Sequence, residues 1–67
     1  MSSKAKIVVS PRSPAVDCTL VDYSAGGACL EVFPMVTLPD RVELVYGSVR
    51  KKCRIVWRRG IRVGVAF

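Results

Sequence analysis

The 67 residues include no histidine, only five aromatic side chains and only five acids, and the three cysteines form no C-x-x-C pair. Without histidine the commonest general base is missing, and Cys18, Cys29 and Cys53 lack both the partners and the spacing of a zinc site. No two acids fall at converging strand ends, and no base is placed to activate a serine or cysteine, so the chain is expected not to be an enzyme. Long apolar runs are missing too. Ile7-Val8-Val9 stops at Ser10-Pro11, far short of a secretory signal, and nothing approaches membrane-spanning length. An odd cysteine count without a leader points to reduced thiols in a cytoplasmic protein, each acting as a small hydrophobe in or near the core.

What is present is an ordinary globular composition, 51% hydrophobic and 24% charged, in a chain that has room for one domain spanning residues 1–67. The net charge of +6 is unevenly spread. Through Glu43 five acids outweigh four bases, and every charged residue after it is basic, seven in all. Such a field favours an anionic partner: a nucleotide, a nucleic acid, an acidic protein face or a membrane surface.

No helical stripe at i, i+3, i+4, i+7 survives a count, whereas period-two alternation recurs throughout, which predicts strands. Residues 6–9 form the first, and the Ser10-Pro11-Arg12-Ser13-Pro14 turn ends it. The second, residues 15–22, sets Val16, Cys18 and Leu20 against Asp17 and Thr19, with Asp22 closing it. The third covers 28–33, and residues 34–40 make a longer connection. In the fourth, Val42, Leu44 and Tyr46 alternate with Arg41 and Glu43 before a Gly47-Ser48 hairpin turn. From 49 to 57, Cys53, Ile55 and Trp57 are assigned inward and Arg50, Lys52, Arg54 and Arg58 outward, with Lys51 breaking the pattern. After Arg59-Gly60 the last strand turns Ile61, Val63, Val65 and Phe67 inward and Arg62, Gly64 and Ala66 outward. The expected fold is all-β with little or no helix: a small six-stranded antiparallel barrel, because closure removes exposed edges.

Two features carry candidate chemistry. The basic stretch after Glu43 suits phosphate neutralisation, but single-strand binders add exposed aromatics. Tyr46, Trp57 and Phe67 are assigned inward and only Tyr23 is presented, so nucleic acid is disfavoured. The second feature is Asp22-Tyr23-Ser24-Ala25-Gly26-Gly27, a D-x-S-x-x-G spacing between two strands. Asp and Ser cap tight turns, and the glycine pair permits positive φ, so a turn alone would explain the spacing. Its chemical reading is an ionised Asp22 accepting from a guanine's ring N–H and amino group, with Ser24 and a glycine amide reaching a base edge or phosphate.

The run Cys18-Thr19-Leu20-Val21-Asp22-Tyr23-Ser24-Ala25-Gly26-Gly27-Ala28-Cys29-Leu30-Glu31-Val32 resembles the PilZ domain, the bacterial receptor module for cyclic di-GMP. The closing segment, Cys53-Arg54-Ile55-Val56-Trp57-Arg58-Arg59-Gly60 followed by Arg62-Val63-Gly64-Val65-Ala66-Phe67, is similar to that family's final hairpin. The resemblance implies a six-stranded barrel and cyclic di-GMP bound through Asp22, Ser24 and Gly27, with Gly26 and Lys4 as auxiliaries. It also implies an R-x-x-x-R motif just ahead of the first strand. That position corresponds to Met1-Ser2-Ser3-Lys4, where Lys4 is the sole basic residue. Lysine cannot supply arginine's planar fork. Arg12, at the far end of the first hairpin, is no substitute. Nucleotide binding is therefore expected to be weak, whether this sequence begins inside a longer domain or belongs to a divergent member that contacts an acidic protein surface instead.

Overall fold

The structure is a computed structural model that describes residues 3–33 and 36–67. Met1, Ser2, Pro34 and Met35 lie outside the described residues, and with them the first half of the segment aligned with the arginine motif and the start of the 34–40 connection.

Six strands form, β1 Ser3–Val8, β2 Val16–Ser24, β3 Gly27–Glu31, β4 Arg41–Tyr46, β5 Val49–Arg59 and β6 Arg62–Ala66, and there is no helix among the described residues. They close in the order β1-β2-β3-β6-β5-β4, every neighbour antiparallel. β1 completes the barrel by pairing with both β2 and β4, Ile7 facing Val16 on one side and Leu44 on the other. Ile7, Leu30, Leu44, Val32 and Val63 are the largest fully buried side chains, and all carry the inward phase of the alternation. Cys18 and Cys53 join this core. Burial, with Asp17 nearby, pushes the Cys18 thiol from its ordinary 9.0 to about 11, and burial also raises Cys53.

Two hairpins turn on glycine. Gly47 and Gly60 each have φ of 57°, and no non-glycine residue among those described has positive φ. Positive φ at only the first of two loop residues is the II′ arrangement, whose twist matches that of the flanking strands.

Two strands carry a β-bulge, and these account for the main departures from simple alternation. In β5 the register shifts between Ile55 and Trp57, with Val56 as the extra residue. Everything beyond it changes face. Trp57, expected inward, lies on the outer surface at 45% exposure, opposite Gly64. Arg58, expected outward, takes the inner phase opposite Val63 and closes one barrel end, its Nη2 donating to the Leu38 carbonyl at 2.9 Å and to Asp40 at 3.4 Å. Leu38 is thereby buried, and the Ile55 N–H donates to the Asp40 carbonyl at 2.7 Å, anchoring the connection.

Candidate functional site

The second bulge builds the region around Asp22. β2 and β3 pair Leu20 with Leu30 and then Asp22 with Cys29, so Val21 is the extra residue. Without it, Asp22 would continue the inward row of Cys18 and Leu20; with it, Asp22 and Ser24 face out and Tyr23 takes the inner phase. The strand continues through Ser24, two residues beyond its expected end at Asp22, because Asp22, Tyr23 and Ser24 all pair across to β3. Only Ala25 and Gly26 form the turn.

Tyr23 arrives at the barrel end beside Phe67, with ring centroids 5.3 Å apart, and Tyr46, 6.3 Å away. Lys51 sits over the Phe67 ring at 5.6 Å. Its interruption of the apolar alternation thus falls at the barrel mouth, where an ammonium reaches water over an aromatic face. The β4–β5 turn lies at the same end as the Asp22 loop, as a simple meander requires, and the Arg12 turn lies at the other.

The carboxylate of Asp22 accepts the Tyr23 backbone N–H at 2.9 Å, and Asp22 makes no ion pair among the described residues. The Ser24 hydroxyl donates to the Gly27 carbonyl at 3.3 Å, across the turn. Gly26 accepts the Phe67 N–H at 3.1 Å. Neither Gly26 nor Gly27 has positive φ, contrary to the expectation from the glycine pair. Gly27 is required for a different reason. A β-carbon there would run into the Val65 carbonyl oxygen of β6, whereas one at Gly26 would meet open space. Lys4 faces out opposite Thr19, three residues along β2 from Asp22 and so roughly 10 Å away at strand rise.

Strand register carries the outer surface onward from Asp22. Asp22 pairs with Cys29, Cys29 with Gly64, and Gly64 with Trp57. The indole lies directly on Gly64, where a β-carbon would collide with the ring. A carboxylate and a flat, half-exposed aromatic therefore share one face, with Asp22 and the Gly64 position under the indole two strand spacings apart, roughly 10 Å. Alternation alone hid Trp57. The signal that could have exposed it is the Gly64 of the facing strand, a position with no side chain to keep an aromatic off the sheet.

The fold is thus a closed six-stranded antiparallel barrel with an outward D-x-S-x-x-G hairpin. The PilZ domain family matches residues 1–67, and the chain belongs to that family. PilZ domains are generally non-enzymatic modules that bind cyclic di-GMP. Neither a curated protein nor a solved structure matches the chain. No helix among the described residues is long and apolar enough to cross a membrane, and they hold no metal-ligating cluster.

Proposed function

We propose that this chain is a non-enzymatic cyclic di-GMP receptor in cytoplasmic bacterial signalling, with Asp22, Ser24 and Gly27 as its guanine-binding loop. The observation that carries this reading is the outward row from Asp22 to Trp57. A guanine ring N–H and amino group are donors suited to an exposed carboxylate, and the free indole face offers a stacking surface worth roughly 1–3 kcal/mol per base. The Ser24 hydroxyl keeps acceptor capacity for the ligand while donating to Gly27. Lys4 supplies a point charge for a phosphate but no bidentate grip, so affinity is modest.

Calorimetric titration of cyclic di-GMP, read in parallel by Trp57 fluorescence, tests this. Binding with a change in emission is expected. Asp22→Ala, removing a charge-assisted bond worth about 1.5–3 kcal/mol, should weaken it by roughly 10- to 150-fold. Absence of both heat and emission change at millimolar ligand would refute the receptor reading for this chain. A second reading, a module that works through an acidic protein surface, is favoured by one specific arrangement: Arg41 directly opposite Arg54 on the outer face.

A further inference from the structure

Several outward bases are met by an acid: Lys6 by Asp17, Arg50 by Glu43 and Arg62 by Glu31. Arg41 and Arg54 make no ion pair among the described residues. Both are exposed, and they stand directly opposite each other on β4 and β5. Like charges so placed destabilise a ladder, a cost that an anion seated between them removes. The other such pair, Arg59 opposite Arg62, is relieved by Glu31, which accepts from Arg62 at 3.2 Å. Arg41 and Arg54 find no such relief among the described residues.

Strand register places this pair on the face already described. Arg54 is opposite Ala66, Ala66 opposite Gly27, and Gly27 opposite Ser24. This row runs alongside the one from Trp57 through Gly64 and Cys29 to Asp22. The two rows lie two residues apart on β6, roughly 7 Å, and each crosses three strand spacings, roughly 14 Å. The outward positions between their ends are Gly27, Cys29, Gly64 and Ala66, so nothing bulkier than a thiol rises from the floor. Asp22 and Ser24 stand along one side of it, and Trp57 and Arg54 along the other, with Arg41 behind Arg54.

We propose that Arg54, backed by Arg41, grips a phosphate of the nucleotide, an inference that rests on cyclic di-GMP binding at Asp22, Ser24 and Gly27. The ligand has two guanines joined through a ring that carries two phosphates. With one guanine on the Asp22 carboxylate and the other stacked on the Trp57 indole, the joining ring lies over the bare floor, and a phosphate falls toward the row that ends in Arg54. A guanidinium gives that phosphate two parallel N–H bonds. Lys4, beyond Thr19 on the far side of Asp22, cannot. Arg41 adds a second charge, and its repulsion from Arg54 is relieved when the anion is seated. An acidic protein surface is the other claimant to this pair. The nucleotide is favoured because the arginines share their floor with a half-exposed stacking aromatic and a carboxylate, and the carboxylate would repel an acidic partner.

The test titrates cyclic di-GMP into the intact chain and its variants by calorimetry, with the arginine Nε–H signals of the ¹⁵N-labelled protein followed by NMR. Arg54→Gln should weaken binding at least tenfold, and Arg54→Lys, which keeps the charge without the fork, should recover only part of the loss. Arg12→Gln, which removes the same charge at the far end of the barrel, should leave affinity within about twofold, as screening over that distance requires. The Nε–H signals of Arg54 and Arg41 should shift on titration while that of Arg12 stays. Arg54→Gln should melt at the parent's temperature or above it, because it relieves the opposition to Arg41, so lost binding would not reflect lost fold. If the parent binds and Arg54→Gln loses less than tenfold, or no more than Arg12→Gln, the phosphate grip is overturned while the receptor reading stands. No binding by the parent at millimolar ligand overturns both. Poly-glutamate that holds Arg41 and Arg54 against excess cyclic di-GMP would assign the pair to an acidic partner and overturn the grip as well.

Discussion

Replacing each of the two adjacent loop glycines by alanine separates what the D-x-S-x-x-G hairpin requires for folding from what it offers a ligand. At Gly27 the new methyl group would be driven into the Val65 carbonyl oxygen. That atom belongs to the β6 backbone, held in the ladder by pairs on either side, Ala28 with Val65 and Gly27 with Ala66. No rotamer change relieves the clash, so β3 and β6 must separate locally. Overpacking of this kind costs about 1–3 kcal/mol. In a domain of this size a loss of 1 kcal/mol lowers the melting temperature by about 4–8 °C, so Gly27→Ala should melt roughly 5–20 °C below the parent. At Gly26 the methyl group meets open space and the backbone has no positive φ. Gly26→Ala should then leave stability unchanged or raise it by about 0.4–1 kcal/mol, through the smaller entropy of the unfolded chain. Thermal unfolding followed by circular dichroism reads both. A Gly27→Ala protein melting within about 2 °C of the parent, where the overpacking penalty should be plain, would refute the close approach to β6. So would a Gly26→Ala variant that falls as far.

Deleting Val21 should remove the bulge, draw Asp22 into the inward row and unfold the protein or abolish cyclic di-GMP binding, whereas Val21→Ala keeps the register and should bind as the parent does; binding assays on both variants check this. Gly64→Ala should push the Trp57 indole off the sheet and red-shift its emission, and its stability cost should shrink in a Trp57→Ala background, a non-additivity measurable as a double-mutant cycle. For pH, the Cys18 thiol keeps its proton in the folded state to about 11 against an ordinary value of 9.0. The unfolded chain therefore ionises first, and the contribution of Cys18 to stability is full below an ordinary thiol value of 9.0 and declines as pH rises toward about 11. Denaturant midpoints across that range should fall in the parent and fall less in Cys18→Ala.

The two bulges mark where the sequence stopped being sufficient. The 49–57 stretch reads as a smooth alternation from Cys53 to Trp57, and only pairing with β6 reveals that Val56 has no partner, which turns Trp57 outward and Arg58 in. A bulge leaves the residue order untouched and changes only which partner each residue meets, so its position depends on a strand elsewhere in the chain. For the same reason the spacing of Asp22, Ser24 and Gly27 was legible, while the outward turn of Asp22 and the row it shares with Trp57 were not.

Period-two alternation, turn residues and the lack of any helical stripe determined on their own that this protein is six antiparallel strands, because burial of one face per strand is a local demand that each segment writes into its own composition. The same alternation put the hairpin turns at Gly47 and Gly60, where positive φ is needed. Only the tertiary structure decided why Gly27 must be glycine and why Gly64 must be bare. Each of these is a relation between strands distant in the chain, fixed by register and close approach, and none leaves a mark in the local sequence of one strand alone.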